Sequence, residues 1–179
     1  DLNFASITST DVVGLYGNDG NDYLRGGAGH DNSNTIVTEW WRSPTGQNIA
    51  GGLYGGAGND TLDGGAGDDW FDPGSGNQDV VIGGADTDIM VVDRRAETAV
   101  TKAKSFATLP VNPFVDGTTL AVEGVEKTVI LAGSGNDDLN FASITSTDVV
   151  GLYGNDGNDY LRGGAGHDNS NTIVTEWWR

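Results

Sequence analysis

The sequence predicts an all-β fold: a parallel solenoid of short strands joined by glycine-rich turns. Three observations predict it. Glycine supplies 29 of the 179 residues, about twice ordinary usage. Of the 26 acidic residues, 21 are aspartate, the shorter and more turn-prone acid. Glycine and aspartate are also phased, recurring together with a nine-residue period.

The period is clearest in GGAGNDTLD (55–63), followed at once by GGAGDDWFD (64–72). Both match G-G-x-G-x-D-x-U-x, where U is a large apolar residue. Looser copies are GNDGNDYLR (17–25), GGAGHDNSN (26–34), GGADTDIMV (83–91) and AGSGNDDLN (132–140), and PGSGNQDVVI (73–82) is one residue too long. Six glycine-rich residues can turn through positive φ, and three then run as a strand. The two-residue strand period sends U inward. Leu24, Leu62, Phe71, Val81, Met90, Leu139 and Leu161 form the predicted apolar ladder, which Ser33 and Ser170 break.

A longer repeat overlies the short one. Residues 1–42 recur without change as 138–179, so the chain reads as one 137-residue unit (1–137) and the start of a second (138–179), together one elongated solenoid. Repeats that contact mainly their neighbours extend along one axis. A long fibrous parent is the expectation, an engineered duplication the alternative.

Calcium takes six to eight oxygen ligands, and a glycine turn exposes backbone carbonyls that bulky side chains would shield. The aspartate at position six adds charge. One nonapeptide makes half a coil, so each ion is expected between a turn and the next one stacked on the same edge. The expected pairs are Asp60 with Asp79, Asp69 with Asp88, Asp137 with Asp159, Asp148 with Asp168 and Asp11 with Asp31; Asp22 is expected to lack a partner. Without the ion, carboxylates a few ångströms apart repel by about 1 kcal/mol in water and several times more near a protein surface. The metal-free chain is expected to be largely unfolded.

The nonapeptide resembles the RTX (repeats-in-toxin) calcium-binding repeat of type I secreted bacterial proteins. The resemblance covers about half the chain and implies a right-handed parallel β-roll with several Ca²⁺ ions. It also implies that two aspartate carboxylates are joined at each ion by carbonyls from positions one to four. The implied carbonyl donors are Gly17, Gly20, Gly26, Gly27, Gly29, Gly55, Gly56, Gly58, Gly64, Gly65, Gly67, Gly74, Gly76, Gly83 and Gly84, then Gly133, Gly135, Gly154, Gly157, Gly163, Gly164 and Gly166. His30 and His167, at the variable fifth position, read as solvated turn residues.

Two stretches interrupt the pattern. Val92 to Leu131 carries five of the nine basic residues, Arg94, Arg95, Lys102, Lys104 and Lys127, and reads as metal-free coils with a loop at Pro110 and Pro113. Within it ETAVTKAKSFATL (97–109) suits a short helix or another strand. The second stretch, 35–54, holds Trp40 and Trp41, copied as Trp177 and Trp178. Neighbours on a strand face opposite ways, so one of each pair is a candidate contact for a sugar or another chain.

A net charge of −17 disfavours nucleic acid and anionic membranes as partners. The chain holds no cysteine, and no apolar run approaches the roughly 18 residues that span a bilayer. There is no nucleophile–base–acid set, no HExxH and no GxSxG, so catalysis is not expected here. The expected function is a calcium-stabilised structural segment of a long secreted fibre or surface adhesin, contacting neighbouring repeats or chains of the same protein. One alternative is the export and folding module of a secreted enzyme or toxin, with catalysis outside this chain. Another is a glycan-binding module using the tryptophans. Cytosolic calcium would leave the chain unfolded and external calcium would fold it, which places it outside the cell; the resemblance implies type I secretion.

Overall fold

A computed structural model describes residues 1–3, 14–29, 31, 52–143 and 149–164. These residues form parallel strands and, among them, no helix. One sheet contains β1 (Leu2–Asn3), β3 (Tyr23–Arg25), β5 (Thr61–Ala66), β7 (Asp79–Ala85), β9 (Lys102–Phe106), β10 (Leu120–Glu123), β12 (Asp138–Asn140) and β14 (Tyr160–Arg162). The other contains β2 (Gly14–Asp19), β4 (Gly52–Ala57), β6 (Trp70–Asp72), β8 (Ile89–Asp93), β11 (Lys127–Leu131) and β13 (Val149–Tyr153). Spatial order is β1-β3-β5-β7-β10-β9-β12-β14 in the first and β13-β11-β8-β6-β4-β2 in the second. Through the nonapeptides the chain alternates between sheets, each crossing being one glycine turn.

The strands are short because the motif leaves only three residues between turns, and the middle one points inward. Tyr23–Arg25, Trp70–Asp72 and Asp138–Asn140 each bury only their central residue completely. Leu24, Leu62, Phe71, Val81, Met90 and Leu139 are fully buried, as the ladder predicts, and Leu161 packs against them half-buried. Each such side chain contributes about 1.5–3 kcal/mol of burial free energy. Ser33 and Ser170 lie outside the described residues.

The ladder is more continuous than the motif. Leu53 occupies the place between Leu15 and Phe71, pairing with both, and is fully buried. Asp31 donates its backbone N–H to Asp69 Oδ1, while Gly52 and Leu53 take the strand positions beside Trp70 and Phe71. The register that ends at Asp31 is therefore taken up again at Gly52.

The motif-free stretch is not a uniform series of coils. Residues 97–109 contribute β9, a strand and not a helix. Instead of pairing with β7, β9 pairs with β10 and β12, and β10 fills the place between β7 and β9. The chain overshoots by one strand, and residues 107–119, with Pro110 and Pro113, carry it back. Proline lacks a ladder donor and suits this connection. At the second copy, Leu139 pairs with Leu161 as Leu2 pairs with Leu24, which is the same pairing 137 residues on.

Candidate metal sites

The turns stack along two edges. On one, Asp22, Asp60 and Asp79 stack in turn, then comes Thr119 just before β10, whose carbonyl accepts from Asp79 N–H, and beyond it Thr101, Asp137 and Asp159. On the other, Asp31, Asp69 and Asp88 are followed by Glu126. Three position-six N–H groups donate to Oδ1 of the next aspartate as the spacing places it: Asp60 to Asp79 at 3.1 Å, Asp69 to Asp88 at 2.9 Å and Asp137 to Asp159 at 2.9 Å. These three pairs are the neighbours the spacing predicts.

Asp22 corrects the sequence reading. Its N–H donates to Asp60 Oδ1 at 2.9 Å, so it has a partner. The two lie 38 residues apart, an excess over two nonapeptides equal to the length of 32–51. Asp31 likewise adjoins Asp69, at 2.9 Å. Asp11, its expected partner, lies outside the described residues, as do Asp148, Asp168, Gly166, His30, His167, Trp40, Trp41, Trp177 and Trp178.

In Asp60, Asp69, Asp88 and Asp137 the neighbouring turn uses Oδ1, so the second carboxylate oxygen decides the chemistry. Oδ2 of Asp22, Asp60, Asp69, Asp88 and Asp137 is buried without a hydrogen-bond partner. A buried carboxylate oxygen left alone is costly unless a cation meets it. The position-one glycines keep that space open: a methyl group on Gly55 would lie 2.6 Å from both Asp60 Oδ2 and Pro73 O. One on Gly64 would strike Asp69 Oδ2 and Gly83 O, and one on Gly17 would strike Gly55 O. Each of these cradles therefore joins a carboxylate oxygen of one turn to a carbonyl of the next.

No three acidic or histidine side chains converge among the described residues, so backbone carbonyls must supply most of the ligand shell. A donor set made wholly of oxygen, mixing carboxylate and carbonyl, fits calcium. Position-four glycines serve the stacking itself: Gly58 and Gly67 have φ of 139° and 110°, which side chains rarely adopt. The fifth position, variable in sequence, carries a ladder of its own. Asn59 N–H donates to Asn21 Oδ1 and Asn158 N–H to Asn136 Oδ1, both at 2.9 Å.

The electrostatics follow from burial. Loss of water pushes Asp69 up to about 8, opposed by the N–H of Asp31 and reinforced by the charge of Asp88. Asp88 is pushed up to about 7 by burial, then by the charges of Glu126, Asp68 and Asp86, against the N–H of Asp69. Burial also raises Asp60 and Asp137. These groups call for a proton or a cation.

The RTX calcium-binding nonapeptide repeat, as a family model, matches the chain at residues 15–32, 53–77 and 152–169. The chain carries RTX calcium-binding repeats. The matched RTX segments hold Asp22, Asp31, Asp60, Asp69 and Asp159, while Asp88 and Asp137 lie outside them. No curated protein and no solved structure matches the chain.

The RTX pattern did not reveal three residues of these edges. Thr101 stands where an aspartate is expected, and its N–H donates to Asp137 Oδ1 at 2.6 Å. Glu126 Oε2 accepts from Asp88 N–H at 2.8 Å. An acid two positions before an inward-facing strand residue was the available signal for Glu126. Arg94, the third, carried no sequence signal beyond its place in a basic stretch. Gly133 and Gly135, expected as carbonyl donors, stack on Glu97 and Ala99 of a turn outside the motif.

Proposed function

We propose that this RTX segment is a calcium-stabilised structural unit of a long secreted repeat protein, an extracellular fibre or surface adhesin, which folds on binding Ca²⁺ outside the cell. The observation that carries the structural reading is the register at the second copy. Asp138 and Leu139 of β12 pair with Lys102 and Ala103 of β9, and Leu139 then pairs with Leu161 as Leu2 does with Leu24. A new unit extends the sheet of the one before it, without a linker.

In the cradles Asp22, Asp60, Asp69, Asp88 and Asp137 would hold the ions by Oδ2, with turn carbonyls completing the shell. Calcium would neutralise carboxylates that the fold desolvates. The protein's own contribution is to space the turns, exclude water and orient each Oδ2 through the hydrogen bond on Oδ1. Extracellular modules of this kind bind calcium at roughly 10⁻⁴ to 10⁻³ M, so the fold forms outside a cell and not within it.

Chains of one, two and three 137-residue units, compared by small-angle X-ray scattering with and without calcium, test this. With calcium, the maximum dimension should rise in equal steps per unit, and chelator should give expanded, coil-like profiles. Units that scatter as jointed beads, or a profile indifferent to calcium, would defeat the proposal.

A further inference from the structure

The Asp79 turn departs from its neighbours. Arg94 is 2% exposed in side chain, among the largest fully enclosed groups of the described residues. Its Nη2 donates to Asp79 Oδ2 at 2.7 Å, its Nη1 to Gly76 O at 3.1 Å and its Nε to Gly74 O at 3.2 Å. Glu97 Oε1 lies 4.0 Å from Nε. One position-six carboxylate oxygen and two turn carbonyls thus converge on one positive group. Those are the oxygen types that face the open cradles elsewhere.

The contrast with the other turns is sharp. Oδ2 of Asp22, Asp60, Asp69, Asp88 and Asp137 has no partner, whereas Oδ2 of Asp79 is bonded to the guanidinium. Position one also differs: Gly17, Gly55 and Gly64 leave room beside their aspartates, while the equivalent residue here is Pro73, whose carbonyl takes the position-one place above Gly55. A proline ring carries the atoms that the glycines omit.

We propose that the Arg94 guanidinium is the resident cation of the Asp79 turn, standing where the neighbouring turns take calcium. A guanidinium presents a planar fork of donors suited to carboxylate and carbonyl oxygens together. Being part of the chain, it is beyond the reach of a chelator. The ion series on this edge is thereby interrupted, with the Asp22 and Asp60 cradles on one side and the Asp137 cradle on the other. The Asp79 carboxylate between them is paired without metal.

This rests on reading the neighbouring cradles as calcium sites, and the experiment separates the two. Anomalous difference maps from calcium-loaded crystals of the full chain should place ions at Asp60 and Asp69 and none at Asp79. An ion coordinated by Asp79 Oδ2 would overturn the assignment of Arg94 alone, and a chain without any ion would overturn both. Native mass spectrometry of the double variant Pro73→Gly/Arg94→Ala, which restores the open turn, should count one calcium more than the parent. A folded double variant with an unchanged count would overturn it; should that variant not fold, the parent map decides.

Discussion

The nonapeptide coils from Gly55 to Val91 and the motif-free stretch from Val92 to Leu131 belong to the same two sheets and share one core. Val122 pairs with Val81, and Ile130 with Val92, with no break in burial. What differs is the edge. In the nonapeptide coils the turns of Asp60, Asp69 and Asp88 each end in a buried carboxylate oxygen without a hydrogen-bond partner. In the motif-free stretch the chain brings its own cations: Arg94 to Asp79 at 2.7 Å, Arg95 to Asp93 at 2.6 Å and Lys104 to Asp116 at 3.1 Å. The sheet thus needs only an inward apolar residue in each strand. Glycine and aspartate are required by the turn.

Removing calcium should break the symmetry between the regions most visibly. In chelator, amide exchange in the turns 55–60, 64–69 and 83–88 should accelerate to near the unprotected rate, while β9, β10 and β11 hold protection longest. Simultaneous loss in both regions would show that the internal cations do not support the central coils by themselves.

Single substitutions should act next most strongly. Asp69→Ala removes a carboxylate that is 1% exposed, and Gly64→Ala places a methyl group against Asp69 Oδ2 and Gly83 O. Each should raise the calcium midpoint of the circular dichroism transition by about tenfold, equivalent to about 1.4 kcal/mol per site. Gly151→Ala serves as the control, because the nearest atom to its new methyl group would be 3.5 Å away. A similar shift for all three would refute the cradle.

How much of this was legible depended on how far each feature reaches along the chain. The turn and its inward residue are local, so Leu62, Phe71 and Met90 in the core, and Asp60 beside Asp79, could be read from spacing. The neighbours of Asp22 and Asp31 could not, because sequence distance does not show that the coil resumes at Gly52. The order β7-β10-β9 was equally hidden: strand pairing is decided across the sheet, and β9 and β10 suit either place. Arg94 acts on a turn 15 residues before it, through a long side chain whose direction no local pattern fixes.

Acid should separate the regions with a smaller effect and opposite signs. The cradle carboxylates titrate higher in the fold, Asp69 at about 8 and Asp88 at about 7, than the roughly 3.9 of an unfolded aspartate. Their contribution to the ion-free fold is complete below about 4 and is lost as pH rises through 7 to 8. Asp93 and Asp116 are held low, chiefly by side-chain hydrogen bonds from Arg95 and Thr118 respectively; their contribution is present above about 4 and disappears in stronger acid. Between pH 8 and pH 5, then, the buried carboxylates respond, Asp79 at about 6 among them, while Asp93 and Asp116 do not. In chelator the chain should gain β signal as pH falls over this interval, and in calcium the midpoint should rise because protons compete for the same oxygens. A chelated chain with less structure at pH 5 than at pH 8 would contradict the placement of these carboxylates.

The smallest effect is expected at Asp116. Its carboxylate accepts from Thr118 Oγ1 at 2.6 Å and from Lys104 Nζ at 3.1 Å, at the end of the connection that returns the chain from β9 to β10. Lys104 also lies over the Phe106 ring, 5.2 Å from its centroid. Thr118 is buried, but Asp116 and Lys104 are at the surface, where an ion pair contributes little. Asp116→Ala should leave the calcium midpoint unchanged while raising amide exchange in 107–119, since the bonds that order this segment are lost and no cradle is touched. A midpoint shifted as far as by Asp69→Ala would mean that the connection and the cradles are coupled, and that the division between the two regions is not an energetic one.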